Sequence, residues 1–198
     1  MVESFIDELA AAAKQDPVAY RKALLGHSPR ALAVLTLAAE KAGWGQPLPP
    51  RRARGVSVQF AFGSYLSQVA EVEVAADGSL KVHRIVCAVD CGMVVNPDTI
   101  EAQVQGGVFF GLTAALFGSI TLKDGRVEQG NFDTYRALRI DEAPAVETYL
   151  VKSSEAPGGF GEAPTAAVAP AVTNAIFAAT ATRIRTLPID TNLLKSAS

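Results

Sequence analysis

Cysteine and histidine are scarce in this chain: Cys87, Cys91, His27 and His83 are all that its 198 residues contain. A C-x3-C pair with no second pair and no nearby histidine is a poor ligand set for zinc or an iron–sulfur cluster. In an extended segment the two thiols point to one side, about 13 Å apart at roughly 3.3 Å per residue, too far for a disulfide. The sequence therefore predicts buried free thiols and no protein-held metal, and it leaves the redox compartment open. Excess charge of one sign is also missing. Eighteen basic residues face twenty acidic ones, and a net charge of −2 gives no electrostatic reason to expect nucleic acid or an anionic membrane as partner. No uninterrupted apolar run approaches the roughly 18 residues of a membrane span, and the first residues have neither the basic lead nor the apolar core of a signal peptide. The expectation is no membrane span, with cytoplasm and periplasm equally open. Neither a Ser-His-Asp order nor a Walker loop is present, and no G-x-G-x-x-G follows a strand, so a nicotinamide or ATP site is not supported.

What is present reads as a globular chain, with 49% hydrophobic and 19% charged residues and no internal repeat. VESFIDELAAAAKQ carries Phe5, Ile6, Leu9, Ala12 and Ala13 at helical spacing. No capping residue precedes it, so a natural start upstream of Met1 is expected. DPVAYRKALL, with Asp16 as N-cap and Pro17 at the first helical position, and PRALAVLTLAAEKAGW give two further helices, stopped by Gly26 and Gly43. The proline-rich, basic GQPLPPRRARG at 45–55 reads as a linker, with Arg51, Arg52 and Arg54 in a solvated turn.

From Val56 the period becomes two, and Asp77-Gly78 marks a hairpin between VAEVEV and LKVHRIVCAV. TIEAQVQGGVFFGLTAALFGSITL is helical in pattern yet contains Gly106, Gly107 and Gly111. At about 1 kcal/mol each against alanine, these glycines call for a close backbone approach. KDGRV is a turn, VETYLVKSS a short strand, and APAVTNAIFAATATRI a last apolar helix after the loop GGFGEAP. Helices, hairpin, helix, strand, loop and helix in that order predict an α+β fold, with a β-hairpin-containing sheet packed against helices.

Glu162 stands in GGFGEAP among glycines and apolar residues. One reading is a carboxylate favoured by the dipole of a following helix, capped at Thr165. The other is a partly desolvated carboxylate with a raised pKa, as a general base needs. The residues alone leave both open. Gln103, ahead of Gly106 and Gly107, is either an ordinary surface glutamine or an amide offered to a polar ligand that the glycines let near the backbone. His27 and His83 stand alone and suggest neither a metal nor a nucleophilic role.

Four stretches, VESFIDELAAAAKQDPVAYRKALL, QVAEVEVAADGSLKVHRIVCAVDCGMVVNPDTIEAQVQGG, NFDTYRAL and GGFGEAPTAAVAPAVTNAIFAATATRIRTLPI, cover nearly the whole chain. In that order they resemble the C-terminal part of the large, molybdopterin-binding subunit of the xanthine oxidase (molybdenum hydroxylase) family. The nearest branch is that of isoquinoline 1-oxidoreductase beta subunits and aldehyde-dehydrogenase-like relatives. The resemblance implies a helical segment over 1–50 and a molybdopterin-binding domain over 56–198. It makes Glu162 the catalytic base beside molybdenum and Gln103, with Gly106, Gly107 and Gly161, a contact of the pterin. It further implies a molybdopterin cofactor in its cytosine dinucleotide form and hydroxylation of N-heteroaromatic compounds or aldehydes, with water as the oxygen source. Electrons would leave through 2Fe-2S clusters on a separate iron–sulfur subunit. Where relatives have G-E-P, this chain has Gly161-Glu162-Ala163-Pro164. Family large subunits are several times longer, so the expectation is a truncated fragment, a product of a split gene or the C-terminal domain by itself, with a non-catalytic binding or assembly module that keeps the fold as the alternative. Such a chain would depend on the remaining half of the large subunit and would hold no cofactor stably alone.

Overall fold

The computed structural model describes residues 1–195. Its first three helices are α1 (Val2–Ala12), α2 (Pro17–Leu24) and α3 (Pro29–Lys41). Asp16 caps α2 as its sequence suggests, its Oδ1 accepting from Val18 N at 2.9 Å and Ala19 N at 2.8 Å. Along α3, Ala31, Val34, Leu35, Ala38 and Ala39 recur at i, i+3, i+4 spacing and are all buried.

That stripe packs on one face of a four-stranded sheet of order β1-β2-β3-β6. Strands β1 (Arg52–Ala61), β2 (Ser64–Val74) and β3 (Leu80–Asp90) form an antiparallel meander. β6 (Ala145–Leu150) adds parallel to β3 after α4 (Pro97–Leu116) and a small hairpin, β4 (Leu122–Lys123) and β5 (Arg126–Val127). The period of two sorts side chains to opposite faces: Val56, Val69, Val86 and Ala88 meet α3, whereas Leu66, Ala70, Ile85, Cys87 and Val89 meet α4 and the final helix α5 (Ala163–Thr180).

The 45–55 stretch departs from its linker reading, because β1 begins at Arg52. Arg52 pairs with Glu73 at 2.9 Å and Arg54 with Glu71 at 3.3 Å, in register across the β1–β2 ladder. Partner carboxylates on β2 are what let an arginine-rich run become a strand, and they are invisible to a local reading of the run. Gly55 is required there: a Cβ would lie 2.1 Å from the backbone nitrogen of Ala175 on α5.

Two helix limits also move. α4 ends at Leu116, because Phe117 leaves helical geometry (φ −135°, ψ −22°). α5 begins at Ala163 rather than near Ala169, with Pro164 in its first turn, so Glu162 and not Thr165 occupies the N-cap. The stretch NFDTYRAL forms no helix or strand.

Candidate functional site

The loop that carries Glu162 is fastened to the sheet from below. Gly158 N donates to Cys91 O at 2.9 Å and Gly159 N to Phe62 O at 2.8 Å. Ser64 Oγ donates to Gly159 O at 2.9 Å. Past Glu162, Gln68 Nε2 donates to Pro164 O at 3.0 Å and Ser57 Oγ to Ala167 O at 2.6 Å. Ser57, Ser64 and Gln68 are fully buried, so these bonds are shielded from competing water and set the height and direction of the α5 N-terminus. Phe160 turns inward into the core while Glu162, two residues on, turns out.

Glu162 is exposed, and among the described residues no side chain donates to its carboxylate. The partial desolvation expected from its apolar neighbours is therefore not produced by this chain. Ala163 and Pro164, which follow it, are buried, whereas Glu162 itself is exposed.

Across from it lies α4, which is drawn close to α5 by its glycines. A Cβ on Gly107 would come within 2.9 Å of Pro164 Cβ, and one on Gly111 within 2.4 Å of Val168 Cγ1. These two are the close approach that the glycine-rich helix calls for. Gly106 differs: no atom lies within 4 Å of where its Cβ would stand, and the same holds for Gly161.

Between the two helices a cleft of about 670 Å3 opens, lined by Gln103, Gly106 and Gly107 from α4 and by Gly161 and Glu162 at the start of α5. All five candidate residues thus converge, although about 60 positions separate the α4 group from the loop. Gln103 is exposed and its amide makes no hydrogen bond among the described residues, whereas neighbouring Gln105 is engaged with Glu101 at 3.2 Å. Phe60, Phe62 and Phe110 complete the cleft, together with Gln59 and Thr165. Sequence reading passes over these aromatics because 60–62 scan simply as the end of a strand. The Phe-Gly-Ser step at a hairpin turn is the one available signal.

At the other end of the loop, Asp90 is buried and receives Arg30 through two nitrogens, Nε at 2.8 Å to Oδ2 and Nη2 at 2.7 Å to Oδ1. The Arg30 hydrogen bonds, reinforced by Gly92 N, hold the Asp90 carboxyl below its ordinary value despite burial. Cys87 and Cys91 are both free and buried, as expected from their spacing. Burial pushes the Cys87 thiol up to about 12, with a hydrogen bond to Gln68 opposing it.

Among the described residues no group of three His, Cys, Asp or Glu side chains could hold a metal ion. A metal that entered the cleft as part of a larger ligand would not need such a set of side chains. The open faces of Gly106 and Gly161 and the unpartnered amide of Gln103 fit a flat polar group of that kind.

A family model described as the molybdopterin cofactor-binding domain matches residues 7–144. The chain is 33% identical over 192 residues to the isoquinoline 1-oxidoreductase beta subunit of Brevundimonas diminuta, covering 94% of this chain and 24% of that protein. It is 33% identical over 218 residues to a nicotinate dehydrogenase subunit of Pseudomonas putida, covering 98% and 18%. The crystal structure of the aldehyde oxidoreductase from Desulfovibrio desulfuricans superposes with a TM-score of 0.58 at 26% identity, over 67% of this chain and 15% of that one. The chain spans about a quarter or less of the length of these relatives.

Proposed function

This chain belongs to the molybdopterin cofactor-binding domain family, and from that premise we propose that it supplies the base and one wall of the active site in a molybdenum hydroxylase large subunit. The reaction is hydroxylation of N-heteroaromatic compounds or oxidation of aldehydes, with water as the oxygen source. The observation that carries this reading is the meeting of Glu162 with Gln103, Gly106 and Gly161 in one cleft.

When bound, the molybdenum cofactor would supply the two-electron oxidation that no side chain in this chain can perform. Gln103 would hold the pterin through its free amide, and Gly106 would let the ring system lie against the backbone of α4. Gly107 would act indirectly, keeping α4 pressed on Pro164 so that the two sides of the cleft stay at a fixed separation. Glu162 Oε1 or Oε2 would take the proton that the reaction releases. Among the described residues its carboxylate has no partner to displace, and its backbone is fixed by the bonds from Ser64 and Gln68 on either side.

Glu162 is open to solvent in this chain, so the remaining part of the large subunit would cover the cleft and exclude water from the base. In this proposal residues 56–198 form the cofactor-binding unit and 1–50 the helical segment, in which α3 covers the opposite face of the sheet and α1 is tied to α5 through Asn174. The cofactor would be the cytosine dinucleotide form, and 2Fe-2S clusters on an iron–sulfur subunit would take up the electrons; this chain's two cysteines are free and buried. The test is Glu162→Gln in the complete enzyme. Turnover should be lost while molybdenum content, read by metal analysis, is kept; near-normal turnover in a loaded variant would sink the assignment.

A further inference from the structure

The turn between β1 and β2 contains two residues, Phe62 and Gly63, with φ of +54° and +82°. Both being positive is the pattern of a type I′ turn, whose first position favours asparagine, aspartate or glycine because other side chains crowd the backbone there. A phenylalanine at that position is a poor choice for the turn itself. Its ring also contributes little to the core, since Phe62 is 62% exposed.

The surroundings are built to keep it there. Gly159 passes so close beneath that a Cβ on it would lie 2.9 Å from Phe62 Cβ, and Gly159 N donates to Phe62 O at 2.8 Å. Phe62 thereby sits directly over the loop that leads to Glu162 and lines the same cleft. Phe60, 60% exposed, and Phe110, 72% exposed, stand on the same rim. Among the described residues, this wall of the cleft includes the Glu162 carboxylate and no lysine, arginine or histidine.

We propose that Phe62 is a specificity-determining residue that offers an aromatic face to a flat, uncharged aromatic ring, and that this wall of the cleft disfavours anionic rings. Backbone strain retained at a functional site and an exposed aromatic trio around a carboxylate are independent observations that point to the same ligand class. A flat ring stacks or packs edge-on against phenylalanine, whereas a carboxylate-bearing ring would meet Glu162 with no cation on this wall of the cleft to balance it. The inference rests on the cleft being where substrate meets Glu162.

Calorimetric titration of the complete enzyme with benzamide, cyclohexanecarboxamide and benzoate tests it. Benzamide should bind about threefold to tenfold more tightly than its saturated counterpart, as expected of an aromatic pair, and benzoate more weakly than benzamide. Phe62→Asn should bring the benzamide preference close to one without lowering the thermal midpoint, because asparagine suits the turn better. Phe62→Tyr should keep the preference. An unchanged preference in Phe62→Asn, an equal loss for both amides, a lowered midpoint, or benzoate binding as tightly as benzamide would each overturn the proposal. No turnover is read, so the outcome is separate from the question of whether Glu162 is the base.

Discussion

Gly111 of α4 lies against Val168 of α5 so closely that a Cβ on the glycine would stand 2.4 Å from Val168 Cγ1 and 2.7 Å from the carbonyl oxygen of Thr165. The valine tip can rotate, but the backbone oxygen cannot move without shifting the helix. Gly111→Ala should therefore destabilise by about 1–3 kcal/mol through overpacking, less the roughly 1 kcal/mol that alanine gains over glycine in a helix. Gly106→Ala, one turn and a half away with open space before it, should be neutral or slightly stabilising. Denaturant titration of the two variants side by side checks the contrast, and equal losses would contradict the packing.

That contrast shows how far the residues alone could go. Three glycines in a helix announce a close approach, but only the structure separates Gly107 and Gly111, which face α5, from Gly106, which faces the cleft. The sheet was legible wherever a period of two met an Asp-Gly turn. It was illegible at Arg52 and Arg54, whose partners Glu71 and Glu73 lie about 20 residues along the chain. The identity of Glu162 as the odd carboxylate was plain from its neighbours. Its exposure was not, because burial is decided by what packs over a loop rather than by the residues within it.

If Gln103 holds the pterin, Gln103→Leu should reduce molybdenum content in the purified complete enzyme by about tenfold or more, the scale of one lost polar contact to a buried ligand. The thermal midpoint of the protein stripped of cofactor should not move, since the Gln103 amide supports no other group among the described residues. Gln105→Leu, which loses only an exposed bond to Glu101, is the matched control and should keep its molybdenum. Equal loss in both variants would point to the helix rather than to the amide.

The Arg30–Asp90 pair makes stability depend on pH in a defined direction. The Asp90 carboxyl is held below its ordinary 3.8 by its hydrogen bonds from Arg30 and Gly92 N. A depressed carboxyl contributes stability that is fully present above 3.8 and disappears as the pH falls through the lower, folded value. Asp90→Asn should thus cost about 1–3 kcal/mol near neutrality, below the usual range for a fully buried pair because Arg30 is 26% exposed. The difference between the native chain and Asp90→Asn, followed by urea unfolding from pH 6 toward pH 3, should shrink as acid is added. A difference that stays constant would mean that the charge on Asp90 is not what stabilises the turn.

Thiol chemistry offers a check on the core that is independent of any cofactor. Cys87 is fully buried on β3 beside Gln68, and burial pushes its thiol from 9.0 up to about 12. At pH 8 that leaves about one thiolate in ten thousand, and the reagent has no path to it short of unfolding. Cys91, at the edge of a second cleft with Met93 and Phe160, is 5% exposed and raised chiefly by burial. An aromatic disulfide reagent at pH 8 should therefore modify Cys91 slowly and Cys87 only at the rate of global unfolding, with both titrating at once in denaturant. The same raised thiol predicts falling stability between pH 9 and pH 12, because the unfolded chain ionises Cys87 first and gains from each unit of added pH while the folded chain does not. Rapid modification of Cys87 in the native protein would mean that β3 opens locally beneath the very loop that carries Glu162, and the fixed height assigned to that loop by Gln68 and Ser64 would have to be given up.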